Sequence, residues 1–104
     1  MSMNHITEMK RPPTHPGELL HEQLEEIGMS VSAAARHLGI SRVHLHRVLS
    51  GKNPVSGEVA VKLGRMFGNG PDLWARMQLA HDLWYAERAV PLDAVPRLER
   101  GAAG

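Results

Sequence analysis

The sequence has no cysteine and no long apolar run, and each of these absences excludes a class of protein. Without cysteine there is no disulfide framework and no thiolate metal site. No stretch approaches the roughly 20 apolar residues that a membrane-spanning helix needs, and the N-terminus lacks the apolar segment of a secretory signal peptide. For a chain of 104 residues, we therefore expect one cytoplasmic domain with a modest core and no membrane association.

Acidic residues are also missing from one internal stretch, which lies between Glu26 and Glu58. The basic and imidazole side chains of this stretch are Arg36, His37, Arg42, His44, His46, Arg47 and Lys52. The preceding segment is acidic, so the formal net charge of +1 conceals an uneven distribution. Local positive charge is typical of phosphate binding, and a merely solvated basic face is the alternative.

The stretch 31–50 predicts two short helices joined by a tight turn. Gly39 can take the left-handed conformation that ends the first helix, and the Ser41 hydroxyl can cap the second. The apolar residues spaced to meet in a shared core are Ala34, Leu38, Ile40, Leu45 and Val48. This combination indicates a helix-turn-helix. An ordinary helical hairpin within another all-α protein is the alternative.

Three further helices complete an all-α domain of five helices, expected over residues 15–89. The first begins at Pro16 and stops at Gly28, with an apolar stripe of Leu19, Leu20, Leu24 and Ile27. The fourth is capped by Ser56 and ends at Gly68, with one face formed by Val59, Ala60, Leu63, Met66 and Phe67. The fifth starts at Pro71 and reaches roughly Ala89. Residues 1–14 are predicted to be a flexible arm and residues 90–104 a flexible tail.

The fifth helix has more apolar surface than one core face requires, because its apolar residues exceed a roughly 100° stripe. Either the helix is sandwiched within the monomer or it packs against a second subunit. Five short helices provide little to sandwich it, so a homodimer is favoured. The predicted dimer contacts are Trp74, Met77, Leu79, Leu83, Trp84 and Tyr85.

The second helix of the motif, from about Arg42 to Ser50, is the predicted recognition helix, and its first two turns can reach base edges. Arg42 can bond guanine bidentately, Val43 can touch a thymine methyl, and Arg47 lies one turn later. Ser41, at the helix start, joins these readers. His44 and His46 can contact bases or phosphates, and Arg36 and Lys52 are placed for phosphates. A plain surface charge is the alternative for each arginine and lysine.

The seven histidines do not predict a metal site. His44 and His46 are two residues apart and diverge, and His37 has no possible ligand three or four residues away. Protonation of His44 or His46 could still strengthen DNA binding at low pH, because it adds positive charge. No nucleophile motif, phosphate loop or catalytic constellation is present, so neither an enzyme nor a cofactor is expected.

Three stretches and one further residue together resemble the HigA-type (VapI-like) antitoxins, a branch of the phage-repressor-like (XRE) helix-turn-helix proteins. These are HPGELL at 15–20, MSVSAAARHLGISRVHLHRVLSGK at 29–52, GPDLWARMQLAHDLW at 70–84, and Tyr85. The resemblance covers residues 12–89 and implies a lambda-repressor-like fold and a homodimer on a palindromic operator in its own promoter. It also implies a partner, a small basic ribonuclease toxin of the RelE-like type.

Carried onto this sequence, the resemblance places DNA readers at Ser41, Arg42, Val43, His44 and Arg47. The recognition helix departs from the family by being rich in histidine, where Gln, Thr or Ser is common, so the operator sequence does not transfer. We expect a type II antitoxin that represses its own operon. A stand-alone phage-type repressor without a toxin is one alternative. A pure interaction module whose fifth helix binds another protein is the other.

Overall fold

Five helices account for most of residues 10–99, the part of the chain that the computed structural model describes. They are α1 Pro16–Ile27, α2 Val31–Leu38, α3 Arg42–Leu49, α4 Gly57–Phe67 and α5 Pro71–Ala89. The predicted all-α, five-helix class is confirmed, with helix ends within about a residue of their expected places. Residues 1–9 and 100–104, which hold parts of the predicted arm and tail, lie outside the described residues.

Three serine hydroxyls begin three of the helices, because each accepts a hydrogen bond from a first-turn N–H group. Ser30 Oγ accepts from the Ala33 N–H at 3.1 Å, which starts α2. The same bond at Ser41 starts α3, with 3.0 Å to the His44 nitrogen. Ser56 starts α4, with a bond of 3.2 Å from the nitrogen of Val59. The caps predicted at Ser41 and Ser56 are confirmed.

A histidine caps α1, a role that was not predicted from the sequence. The Nδ1 atom of His15 accepts a hydrogen bond of 2.9 Å from the Gly17 N–H. Pro16 occupies the first helical position, where a missing N–H does no harm. The imidazole is buried and lies edge-to-face with the ring of His81 on α5, with ring centroids 5.0 Å apart. The beginning of α1 is thereby packed against α5.

The core draws on all five helices and on the loop before α4. Its buried apolar residues are Leu20, Leu24, Ala34, Ala35, Leu38, Leu45, Val48, Val55, Val59, Ala60, Leu63 and Trp74. Four of the five predicted helix-turn-helix core positions are buried, and Ile40 is half-buried against them. The helix-turn-helix is therefore held on the core through both of its helices.

Ile27 departs from its predicted place in the apolar stripe of α1, since its side chain is 55% exposed. It is the last residue of α1, and Leu24 is the last residue of that helix to be buried. Gly28 turns the chain with a φ of 70°, and the Met29 N–H bonds back to the Leu24 carbonyl at 2.9 Å. Met29 packs against the core in its place.

The prediction that Trp74 makes dimer contacts is wrong, because this side chain is fully buried within one chain. The short turn between α4 and α5 folds the first turns of α5 onto α4. The Trp74 ring lies 5.8 Å from that of Phe67, and its Nε1 donates to Asn69 Oδ1 at 3.0 Å. The beginning of α5 is consequently core, and only its later turns have apolar side chains to offer elsewhere.

The described ends of the chain differ in their contacts. The carbonyl oxygen of Pro13, at the end of the predicted arm, lies 2.8 Å from Nδ1 of His81 on α5. Residues 90–99 form turns and bends with exposed side chains. The flexibility predicted for residues 1–14 and 90–104 stays a prediction. Across residues 10–99, no helix has the combined length and apolarity of a bilayer span.

Candidate nucleic-acid interface

The exposed side of α3 carries most of the predicted DNA readers. Leu45 and Val48 are fully buried and fix the helix on the core. On the opposite side Val43 is 70% exposed. The other exposed readers on or beside this helix are Ser41, Arg42, His46 and Arg47. Their contacts with DNA stay a prediction.

His44 is placed differently from the other predicted readers. It is half-buried on the flank of α3, and its Nδ1 lies 3.5 Å from the Nδ2 atom of Asn53. Its backbone N–H is already bound by the Ser41 cap. The structure thus places this histidine between the exposed side of α3 and the loop that follows the helix.

That loop folds back over the last turn of α3. Gly51 takes a φ of 79°, and the N–H groups of Lys52 and Asn53 both donate to the carbonyl of Arg47, at 2.9 and 3.0 Å. The Asn53 side chain returns to the same residue, because its Oδ1 accepts from Nε of Arg47 at 3.1 Å. Asn53 was not among the predicted site residues. The sequence signal for this contact was Gly51, two residues before Asn53, because a glycine in the left-handed conformation can reverse the direction of the chain.

The predicted phosphate contacts, Arg36 and Lys52, are both exposed, on α2 and on the loop after α3. A third cation near the motif, Lys62, contacts other protein atoms. The Nζ atom of Lys62 on α4 lies 3.5 Å from the carbonyl oxygen of Gly39 and 3.3 Å from a Glu58 carboxylate oxygen. A cation at the end of α2 stabilises that helix terminus.

A buried glutamine attaches the loop after α3 to α5. The Oε1 atom of Gln78 accepts a hydrogen bond of 2.7 Å from the Val55 N–H, and its Nε2 donates to Asp82 Oδ1 at 2.9 Å. Both ends of the buried amide are thereby satisfied, which burial requires. The loop that holds Asn53 and Lys52 is therefore fixed to the helix predicted to dimerise.

His15 lies beside this connection, and its surroundings favour the neutral form of the imidazole. Burial lowers the pKa of His15, and His81 lowers it further, while Asp82 and Glu18 act in the opposite direction. Its Nδ1 accepts a hydrogen bond, so the proton of the neutral ring is on Nε2, a buried atom that has no hydrogen-bond partner in the described structure. No group of three possible ligands for a metal ion occurs among residues 10–99.

The later turns of α5 expose the remaining predicted dimer contacts. Leu79 is 57% and Tyr85 is 52% exposed, Leu83 is exposed as well, and Met77 and Trp84 are half-buried. The rings of Trp84 and Tyr85 lie edge-to-face with centroids 5.0 Å apart, and the Arg88 guanidinium lies 3.6 Å from the centre of the Trp84 ring. The five side chains Met77, Leu79, Leu83, Trp84 and Tyr85 are together called the α5 apolar surface below.

The fold and the exposed α3 define a helix-turn-helix protein, and residues 17–77 match the family described as a helix-turn-helix domain. The chain is 37% identical over 76 residues to virulence-associated protein A' of Dichelobacter nodosus, which is 72% of this chain and 65% of that relative. It is also 37% identical over 76 residues to antitoxin HigA-1 of Vibrio cholerae, with 72% of this chain and 71% of the relative covered.

Among solved structures, antitoxin GraA in complex with its operator matches with a TM-score of 0.75 and 33% identity, over 88% of this chain and 99% of that chain. The chain belongs to the HigA-type (VapI-like) antitoxin family. The resemblance predicted from the sequence is confirmed. The family consists of helix-turn-helix antitoxins and regulators and not of enzymes, so the prediction that this protein is not an enzyme is confirmed too.

Proposed function

We propose that this protein is a cytoplasmic, sequence-specific DNA-binding antitoxin of a type II toxin–antitoxin system. It binds a palindromic operator as a homodimer, represses its own operon and neutralises a small basic RelE-like ribonuclease toxin. One observation carries the DNA-binding part: the exposed side of α3 presents Arg42, Val43 and Arg47, while Leu45 and Val48 fix the helix from below. The solved complex of GraA with its operator supports the same use of a similar fold.

The homodimer follows from the number of bases that one helix can read. A single recognition helix contacts only a few base pairs, so specific affinity normally requires two, on half-sites about 34 Å apart. The α5 apolar surface is the candidate interface, and Gln78 links its helix to the loop after α3. Two copies of α3 would therefore be held at a fixed separation.

Substitutions of arginine separate base reading from phosphate binding. We expect Arg47→Ala, and likewise Arg42→Ala, to lower affinity for the operator by about 1–3 kcal/mol and to relax sequence preference, because each removes a bidentate base contact. Arg36→Ala should weaken binding to every duplex about equally. Fluorescence anisotropy on operator and scrambled duplexes at several salt concentrations measures both. Equal losses for all three variants on both duplexes would contradict the assignment.

The toxin part of the proposal has its own experiment. We expect this chain to co-purify with the product of the adjacent reading frame when the two are expressed together, and to abolish that product's ribonuclease activity. The same chain should bind DNA from its own promoter. Promoter binding without any toxin partner would instead identify a stand-alone repressor, and capture of a protein without promoter binding would identify an interaction module.

A further inference from the structure

We propose that Asn53 determines sequence specificity by bracing Arg47 for guanine, an inference that rests on the proposed reading of DNA by α3. The loop after α3 brings an amide side chain against a predicted base reader. Asn53 therefore acts through Arg47, as a positioning residue.

The brace is built from three hydrogen bonds between two residues and one neighbour. The Nε–H of Arg47 donates to Oδ1 of Asn53 at 3.1 Å. The Arg47 carbonyl accepts from the backbone of Lys52 and of Asn53 at 2.9 and 3.0 Å, so both backbones are fixed relative to each other. The position of the Asn53 amide is consequently set by the turn and not only by its side-chain rotamer.

The neighbouring histidine is consistent with this orientation of the amide. An arginine Nε–H can only donate, so the oxygen of the Asn53 amide must face Arg47. Its Nδ2 then faces Nδ1 of His44, 3.5 Å away, and that atom accepts when the neutral imidazole carries its proton on Nε2. The amide thus has a complementary atom on each side.

Bracing through Nε leaves the recognition edge of the guanidinium free. The group is planar, so a bond at Nε restricts the plane while both Nη groups stay available for O6 and N7 of a guanine. Among the described residues, Nε is the only side-chain nitrogen of Arg47 with a hydrogen-bond partner. A side chain ordered before binding loses less entropy in the complex.

Arg42 supplies the internal comparison. It is exposed at the start of α3, and no hydrogen bond or ion pair joins its side chain to another residue of 10–99. The two predicted arginine readers therefore differ in order before DNA binds. Removing the amide of Asn53 should affect recognition at the Arg47 base and leave recognition at the Arg42 base intact.

The test compares wild type, Asn53→Ala, Arg47→Ala and the double variant on the operator and on a scrambled duplex of equal length. We expect Asn53→Ala to weaken operator binding by about five- to tenfold and to change binding to the scrambled duplex by less than about twofold. In the Arg47→Ala background the same substitution should have almost no further effect, because nothing remains to be braced. Unchanged thermal unfolding midpoints confirm that the variants are folded.

Asn53→Asp is the conservative rescue. Its carboxylate keeps an oxygen for the Arg47 Nε–H, so the ratio of operator to scrambled affinity should stay close to that of wild type. Both affinities should fall together, because a negative charge is added beside DNA phosphates. A lost ratio in this variant would contradict the brace.

Two outcomes on DNA overturn the inference while leaving the proposed function intact. One is an unchanged affinity ratio in Asn53→Ala, and the other is an equal loss in the Arg47→Ala background, which means that Asn53 acts by itself. A wild-type protein without any operator preference overturns the proposed function and the specificity role together.

A second measurement, on the free protein, tests the brace directly. Hydrogen exchange at the Arg47 Nε–H, measured by NMR, must be faster in Asn53→Ala than in wild type if the brace exists. Identical exchange in the two proteins excludes it.

Discussion

At the scale of single residues, the capping role of His15 depends on its protonation state. It caps α1 through an unprotonated Nδ1, and its ring is buried beside His81. An imidazolium has two N–H donors and no acceptor, so protonation removes the cap. The sequence offered only the HPGE pattern here, which placed the start of the helix but not its capping group.

We expect His15→Ala to lower the free energy of unfolding by about 1 kcal/mol for the lost cap, with a further loss for the emptied space. His15→Asn should retain most of the cap contribution, because its side-chain oxygen can accept from the Gly17 N–H. Urea denaturation at pH 7.5 measures both. Equal stability of the alanine and asparagine variants would contradict the capping role.

The lowered pKa of His15 also predicts how stability depends on pH. The unfolded chain takes up the proton near pH 6.5 and the folded protein only below that, so the unfolded state binds more protons in between. The contribution of His15 to stability is therefore complete above pH 6.5 and is lost as the pH falls from there through the folded pKa.

The difference in unfolding free energy between wild type and His15→Asn isolates this effect from the other six histidines. The unfolding free energy of wild type should fall relative to that of His15→Asn as the pH falls from 7 to 5. A pH-independent difference would exclude it. Stability, and not DNA binding, is the quantity that reports on this cap, because the hydrogen bond of His15 lies within the fold.

At the scale of helices, the joint between α4 and α5 depends on one glycine. A Cβ atom on Gly64 would lie 2.3 Å from the carbonyl carbon of Gly70, whereas one on Gly57, in the first turn of the same helix, meets nothing within 4 Å. The Gly70 N–H also donates to the Gly64 carbonyl at 3.3 Å. The turn between the helices thus packs directly on the backbone of α4.

Alanine should therefore have opposite effects at these two positions. Gly64→Ala is expected to destabilise the protein by about 1–3 kcal/mol, because the added methyl group forces the turn away from α4. Gly57→Ala should leave stability unchanged or raise it by up to about 1 kcal/mol, since alanine favours the helix. Thermal unfolding of the two variants checks this, and a stabilising Gly64→Ala would show that the joint has room.

The helices also show which features a sequence can predict. The serine caps and the glycine stops were predicted correctly, because a cap or a left-handed turn is decided by a few neighbouring residues. The places of Ile27, Trp74 and Asn53 were not, because each depends on where another element packs. A helical wheel shows that α5 has excess apolar surface, but it cannot tell which turns the rest of the chain covers.

At the scale of the whole molecule, the beginning of α5 and its later turns have different roles. Its beginning completes the core through Trp74, and its later turns expose the α5 apolar surface. Between them, Gln78 binds the loop that follows the recognition helix. A dimer built on α5 would therefore fix the distance between two copies of α3.

Charge placed on this surface should break the proposed dimer. We expect Leu79→Glu to shift the protein towards monomer and to weaken operator binding by about tenfold or more, while the monomer stays folded because the residue is exposed on a single chain. Sedimentation equilibrium and operator titrations measure the two effects. Val61→Glu, at an exposed apolar residue on α4, is the matched control and should stay dimeric. A dimeric Leu79→Glu would place the interface elsewhere.

The most direct test of the account is an NMR titration of the isotopically labelled protein with an operator duplex, defined by footprinting its own promoter. The largest changes in amide chemical shift should fall on residues 41–47, with Arg36 and Lys52 at the margin and the outer face of α1 unaffected. Recognition by α3 would be contradicted if residues 41–47 kept their shifts while another face of the protein responded to the DNA.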